Sequence, residues 1–256
     1  MLNQFSRTEL LLGSAAIEAL GRSRVAVFGL GGVGGYVCEA LVRSGVGHFD
    51  LIDHDTVSLT NLNRQIIATR DSIGRDKADV MGERMLGINP EAEIIIHKCF
   101  YLPENAELFD FSRYDYVVDA IDTVAAKLNL AQRCSEEGIP IICACGTGNR
   151  LDPTALRVSD ISETSGDPLA RVLRKELKKR GVKKLKTVWS RELPLEPLTK
   201  DEADMEYKGA SMRPVPGSCA FVPAAAGLLI ASEVVKDLTA RVGGRAPRRG
   251  EETETE

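Results

Sequence analysis

The run Gly29-Leu30-Gly31-Gly32-Val33-Gly34 has the residue types and spacing to hold a phosphate group. Gly29 permits a tight turn, Gly31 lets an anion approach the backbone, and Gly34 lets a helix and strand close on each other, with Gly32 completing the loop. The helix start beyond them offers free N–H groups and a partial positive charge. Asp53 follows nineteen positions after Gly34, where a carboxylate can bond a ribose hydroxyl. Alone, this pattern points to a nucleotide, leans towards NAD, and names no reaction. The residues after Asp53 turn the reading away from hydride transfer. Asp53-His54-Asp55 opens a polar loop leading to Asn61-Leu62-Asn63-Arg64-Gln65, and Lys77 starts a helix after Gly74-Arg75-Asp76. An Arg and a Lys aimed at one phosphate chain suit its cleavage, because negative charge builds there in the transition state. The plainer alternative for Arg64 and Lys77 is a solvated surface pair. Asp122, in Asp119-Ala120-Ile121-Asp122-Thr123, follows an apolar strand at the end where magnesium and phosphates gather in a parallel sheet. Its competing use is as the cap of the next helix. Asp119, further back, reads as structural.

These residues need a scaffold, and the chain supplies one. Apolar β-branched runs at 24–29, 49–53, 93–97, 116–121 and 140–144 alternate with helical patterns at 34–44 and 77–88, and with one carrying Val124, Leu128 and Ala131. Such alternation predicts an α/β fold: a Rossmann-like, mainly parallel sheet with helices on both faces. After Gly148 the character changes. Segments 156–161 and 187–193 alternate as half-exposed strands do, so a C-terminal antiparallel extension is expected. Segment 194–217, rich in Pro, Gly and charge, reads as a long mobile loop. Residues 221–238 return to a helical pattern with Pro223 in the first turn.

Composition narrows the class. The 256 residues are 43% hydrophobic and 27% charged, with a net charge of −4, the balance of an ordinary globular protein rather than a basic nucleic-acid coat. Six cysteines, none in a C-x-x-C pair, argue against a zinc ribbon or a disulfide scaffold and suit a reducing cytosol. No apolar run reaches the roughly 20 residues needed to span a bilayer, and residues 1–7 lack a signal core. A cytoplasmic protein without a membrane is expected. Against the acidic balance stands one basic stretch: Arg171, Arg174, Lys175, Lys178, Lys179, Arg180, Lys183, Lys184 and Lys186 face a single acid, Glu176. Concentrated like charges repel unless a polyanion neutralises them, so Arg174, Lys175, Lys178, Lys179, Lys183 and Lys184 are candidates for RNA docking. The competing reading is a solvated helix face.

In that order along the chain, the glycine run at 29–34, Asp53, the Asn61 to Gln65 segment, Lys77 and Asp122 resemble the adenylating domain of the ThiF/MoeB/HesA family of ubiquitin-activating-like enzymes. The likeness extends from about residue 5 to 238. It implies ATP with Mg2+ as ligands and adenylation of a carboxylate with release of pyrophosphate. It places the ribose on Asp53 with Asp55 beside it, and the phosphates on Asn61, Arg64 and Lys77 with Gln65 alongside. The metal falls to Asp122. Phe5-Ser6-Arg7 is similar to the family's N-terminal segment, which implies that Arg7 reaches a partner subunit's site in a homodimer. One adenylating domain over residues 1–242 follows, with its nucleotide-binding part at about 20–148, a basic insert and crossover loop at about 162–217, and a disordered tail at 243–256.

Branches of the family differ in what they do with the acyl-adenylate. Those that activate a ubiquitin-like sulfur carrier often carry paired C-x-x-C motifs and a crossover cysteine, whereas residues 187–217 contain no cysteine. Cys143 and Cys145 read as buried packing, and nothing visibly activates Cys219. Asp167-Pro168-Leu169, Gly217-Ser218 and Phe221-Val222-Pro223, together with the basic stretch, resemble the branch that acts on tRNA carrying threonylcarbamoyladenosine. That likeness implies adenylation of the threonylcarbamoyl carboxylate and ring closure that expels AMP, with net loss of water and no enzyme thiol. It also implies a monovalent cation, K+ or Na+, whose ligands the sequence does not place. Two alternatives stand beside it. One is an adenylyltransferase activating the Gly-Gly C-terminus of a sulfur-carrier partner; the other is a nucleotide-binding module without turnover.

Overall fold

The structure, a computed structural model, describes residues 2–198, 205–208, 211–214 and 216–243. Two short helices, α1 (Ser6–Leu12) and α2 (Ser14–Arg22), precede the sheet, a pair that the sequence pattern does not announce. Strands β1 (Arg24–Phe28), β2 (His48–Ile52), β3 (Glu93–His97), β4 (Tyr116–Asp119) and β5 (Ile141–Ala144) are all parallel. They are joined by α3 (Gly34–Ser44), α4 (Lys77–Ile88) and α5 (Val124–Glu137). Beyond them come β6 (Leu156–Asp160), α6 (Pro168–Lys179), β7 (Lys186–Ser190), a separate hairpin of β8 (Met205–Lys208) and β9 (Ser211–Pro214), and α7 (Phe221–Ala240). The main sheet runs β3-β2-β1-β4-β5-β7-β6, so the chain reverses direction of travel at β1 and β4. A crevice opens at such a switch point, outside the carboxyl ends of the strands, and ligands collect there.

Burial on both faces explains the unbroken apolar strands. Val25, Ala26, Val27 and Phe28 are all fully buried. Val25 and Val27 pack towards Val37, Leu41 and Ile230, while Ala26 and Phe28 face an aromatic cluster with Tyr101, Phe109 and Phe111. A third cluster, with Leu128, Leu173, Leu177 and Trp189, seats α6 against α5. Among the described residues, no helix is long and apolar enough to cross a membrane.

Several expectations change. Strand β4 ends at Asp119 rather than at 121, because its neighbour β1 stops where Gly29 turns away with φ +90°. The antiparallel extension is present, since β6 pairs antiparallel with β7, and β7 joins it to the sheet by running parallel to β5. β7 also stops at Ser190, three residues short, because Glu192 is drawn towards the 150–152 loop. The segment expected as a continuous loop carries the β8–β9 hairpin, whose short alternation of Met205 and Tyr207 with charged residues is hidden among the surrounding Pro and Gly. The disordered tail expected beyond Gly243 lies outside the described residues.

Candidate active site

The glycine loop leaves β1 at the switch point. Gly29 has φ +90°, and a side chain there would press a Cβ to 2.7 Å from the Ala120 carbonyl oxygen, so only glycine fits. A Cβ on Gly34 would overlap the Gly29 carbonyl oxygen, which fixes the close entry of α3. Gly31 differs, because its Cβ direction is open as far as the Gln65 amide at 3.8 Å. A Cβ on Gly32 would stand 3.4 Å from Arg64 Cγ and 3.2 Å from Pro223 at the start of α7. The loop is thus a cradle floored by backbone and walled by Arg64, Gln65 and α7.

Asp53 stands just past β2. Its carboxylate accepts the Leu30 N–H at 2.6 Å and the Asp55 N–H at 2.8 Å, so it braces the glycine loop while half-exposed towards the crevice. Asp55 accepts from Lys77 Nζ at 2.7 Å. Lys77, the first residue of α4, is only 6% exposed, and its N–H donates to the Asp55 carbonyl. The solvated-surface alternative does not hold for Lys77, which is buried, whereas Arg64 is half-exposed. A 3-10 turn over Leu59–Asn61 buries Asn61, whose amide oxygen accepts the Ser58 N–H. The turn sets Arg64 so that its guanidinium donates to the Thr60 carbonyl and to Asn63 Oδ1. Gln65 is buried beside the loop, and its Oε1 has no partner. The side of Gln65 that meets the loop is its amide Nε2, a donor, 3.8 Å from the Cβ position of Gly31.

Asp122 lies in the β4–α5 connection, exposed, with Thr123 Oγ1 donating to it at 3.4 Å. The cap position of α5 is Thr123, whose side chain makes no cap bond, and Asp122 precedes it. Behind it, Asp119 is buried as expected of a structural residue, and it bonds Lys127 Nζ at 3.0 Å. Lys127 also donates to the Ala144 carbonyl at 2.8 Å, tying the ends of β4 and β5 to α5. Burial works against its ammonium, but the negative charge of the Asp119 carboxylate outweighs that and holds it above the ordinary lysine value. Sequence reasoning misses Lys127, although with Val124, Leu128 and Ala131 it completes a helical stripe that is otherwise apolar.

Arg7 sits exposed on α1. The basic stretch resolves into α6 and the turn after it. Asp167 caps α6 by accepting the Ala170 N–H, Leu173 and Leu177 face inward, and Lys175, Lys178, Lys179, Lys183 and Lys184 are exposed. Lys179 pairs with Glu176. Two of the nine charges are drawn inward: Arg174 donates to Thr164, and Lys186 bonds Glu233 and Asp237 of α7. Burial raises the Cys38 and Cys134 thiols, and the hydrogen bond that Cys143 shares with Cys145, followed by burial, raises Cys143, so these three stay protonated and inert.

A glycine cradle at the switch point of a doubly wound sheet, ringed by Arg64, Lys77 and carboxylates, defines a nucleotide-binding α/β protein. The chain belongs to the ThiF family, whose pattern matches residues 5–252. It is 44% identical over 242 residues to the Bacillus subtilis tRNA threonylcarbamoyladenosine dehydratase, covering 93% of this chain and 95% of that one. A crystal structure of the Escherichia coli tRNA N6-threonylcarbamoyladenosine dehydratase in complex with ATP superposes with a TM-score of 0.83 at 34% identity, over 94% of this chain and 95% of that one. A crystal structure of the same Escherichia coli enzyme in complex with AMP matches equally well.

Proposed function

We propose that the protein is an ATP-dependent tRNA threonylcarbamoyladenosine dehydratase. The observation that carries this reading is the likeness over nearly its whole length to dehydratases of that name, one of them in complex with ATP. The cradle at 29–34, with the Gln65 amide nitrogen beside Gly31, fits the phosphates of a nucleotide.

In this reading Asp53 holds the ribose, with Asp55 keeping Lys77 in place. Asn61, Arg64 and Lys77 bind the phosphates and stabilise the charge that grows as pyrophosphate leaves. The acceptor carboxylate attacks the α-phosphorus, breaking the bond to the β-phosphate oxygen and forming an acyl-adenylate. A nucleophile within the same threonylcarbamoyl group then attacks the activated carbonyl carbon, and AMP departs with the former carboxylate oxygen. The balance is one water lost from the nucleoside and one ATP split. Proximity drives the second step, so no enzyme thiol is required. The exposed Asp122 carboxylate suits a hard cation, and Mg2+ there would neutralise phosphate charge. A monovalent cation also belongs to this reading, without assigned ligands.

The exposed lysines of α6 and its following turn dock the tRNA phosphates. Arg7 acts across a homodimer, which the exposed Leu10 and Leu11 on the same helix favour. Mixed dimers of Arg7→Ala and Asp122→Ala subunits should regain turnover that each variant alone lacks; no regain would remove the shared site.

The test is pyrophosphate release from ATP by the purified protein, with modified tRNA and a Gly-Gly-ended carrier protein as parallel acceptors. Stimulation by the tRNA alone is expected. Stimulation by the carrier alone would instead make the chain a sulfur-carrier-activating adenylyltransferase.

A further inference from the structure

Between the nucleotide cradle and the basic helix lies a polar node that the chemistry above does not use. Asn149 is the one non-glycine residue with positive φ, 58°, among the described residues. That conformation is strained for most side chains and persists where surrounding bonds demand it. Here three bonds do. The Asn149 N–H donates to the Gly217 carbonyl at 2.7 Å, its Oδ1 accepts the Gly217 N–H at 2.6 Å, and its carbonyl accepts the Leu195 N–H at 2.8 Å. A methyl on Gly148 would meet Pro216 at 2.9 Å, so the two segments lie in direct contact.

The next residue reaches the other way. The Arg150 side chain is almost fully buried, and its Nη2 bonds Asp167 Oδ2 at 3.0 Å. The same aspartate caps the basic helix α6 through its other oxygen. Arg150 also donates to the Glu192 carbonyl at 3.0 Å and to the Gly146 carbonyl at the end of β5. Its own carbonyl accepts from Cys219.

The 217–219 segment held by Asn149 and Arg150 touches the nucleotide site as well. The Ser218 carbonyl accepts Asn63 Nδ2 at 2.9 Å, and Asn63 Oδ1 accepts Arg64 Nη1 at 2.9 Å. A continuous chain of bonds thus runs from the cap of the basic helix through Asp167, Arg150, Asn149, Gly217, Ser218 and Asn63 to Arg64.

We infer that Asn149 and Arg150 are positioning residues that set Arg64 at the phosphate site in register with the tRNA-docking helix α6. The inference rests on the proposed function and adds to it. Through its side chains the node bonds protein groups, Asp167, Glu192, Gly146 and Gly217. Its loss should therefore spare both affinities and impair the step that needs the two substrates aligned.

Three variants separate the contributions. Asn149→Gly keeps the backbone conformation and removes the Oδ1 bond to Gly217. Asn149→Asp keeps both an acceptor and tolerance of positive φ. Arg150→Lys keeps a charge beside Asp167 and loses the fork that reaches Glu192 and Gly146. Each is measured for thermal unfolding, ATP binding, tRNA binding, and kcat and KM of tRNA-stimulated pyrophosphate release.

Asn149→Gly and Arg150→Lys should retain both binding affinities and lose stimulated kcat by roughly tenfold to a hundredfold, with Asn149→Asp close to native. Native kcat in folded Asn149→Gly and Arg150→Lys would overturn the inference. So would a loss in Asn149→Asp as deep as in Asn149→Gly, because the acceptor would then not be what matters. A native chain that tRNA does not stimulate would instead overturn the functional reading beneath it.

Discussion

Lys77 is proposed as a phosphate ligand, a role that the family resemblance implies for the residue after Gly74-Arg75-Asp76. The structure shows that it is buried and held by Asp55 at 2.7 Å. Asp55 is half exposed, so removing Lys77 leaves no buried orphan charge. Lys77→Ala is expected to keep the unfolding temperature near native and to lower pyrophosphate release by about 10²–10³-fold, the scale of losing one preorganised charge-stabilising group. Equal turnover in the variant would take Lys77 out of the phosphate site. Lys127 marks where residue-level reading stops. A charge on an apolar stripe is a visible anomaly, but its partner Asp119 lies eight positions back and the Ala144 carbonyl seventeen positions on, and only the fold brings them together. Asn149 and Arg150 are invisible in the sequence for the same reason, since apart from the Arg150 bond to Gly146 their bonds reach 17 to 69 residues along the chain.

At the level of elements, the helices α3 and α4 and the strand β3 fall where periodicity places them, because each has a sharp local signal at both ends. β4 and β7 end early for tertiary reasons, and α1 and α2 escape notice because the opening segment shows more by what it lacks than by any pattern. The inner strands carry an element-level device of their own. Asp50 on β2 is buried and accepts from Arg24 on β1 at 2.9 Å and from His97 on β3 at 2.8 Å, with Tyr114 at 3.4 Å; Arg24 also meets Glu93, which faces His48. Burial alone would raise the Asp50 carboxyl, but His97 and Arg24 outweigh it and hold it below the ordinary aspartate value. A depressed carboxylate stabilises the fold fully above its unfolded value of about 3.9, and that stability is lost as pH falls through the lower folded value. Urea midpoints at about pH 6 and pH 3 should therefore fall steeply for the native chain and less for Asp50→Asn, which starts lower. An equal fall in both would show that Asp50 does not couple the three strands to pH.

Across the whole molecule, charge is sorted rather than mixed. The acidic balance of the chain leaves α6 and the turn after it as a cluster of exposed lysines, while Arg174 and Lys186 are committed to Thr164 and to α7. Sequence counting includes all nine cations alike, since it cannot see which ones the fold turns inward. Replacing Lys175, Lys178, Lys183 and Lys184 by Glu is expected to weaken tRNA binding and leave ATP binding intact. The slope of log affinity against log salt should flatten by roughly 0.7–0.9 for each lysine that meets a phosphate. An unchanged slope would return α6 to a solvated face.

All of this converges on one chemical outcome, a tRNA nucleoside that leaves the protein lighter by one water. The direct measurement is mass spectrometry of nucleosides from tRNA bearing threonylcarbamoyladenosine after incubation with ATP and the purified protein. Loss of one water from that nucleoside, matched by AMP and pyrophosphate and absent without ATP, is the predicted result. An unchanged nucleoside, with ATP bound and the protein folded, would contradict the account.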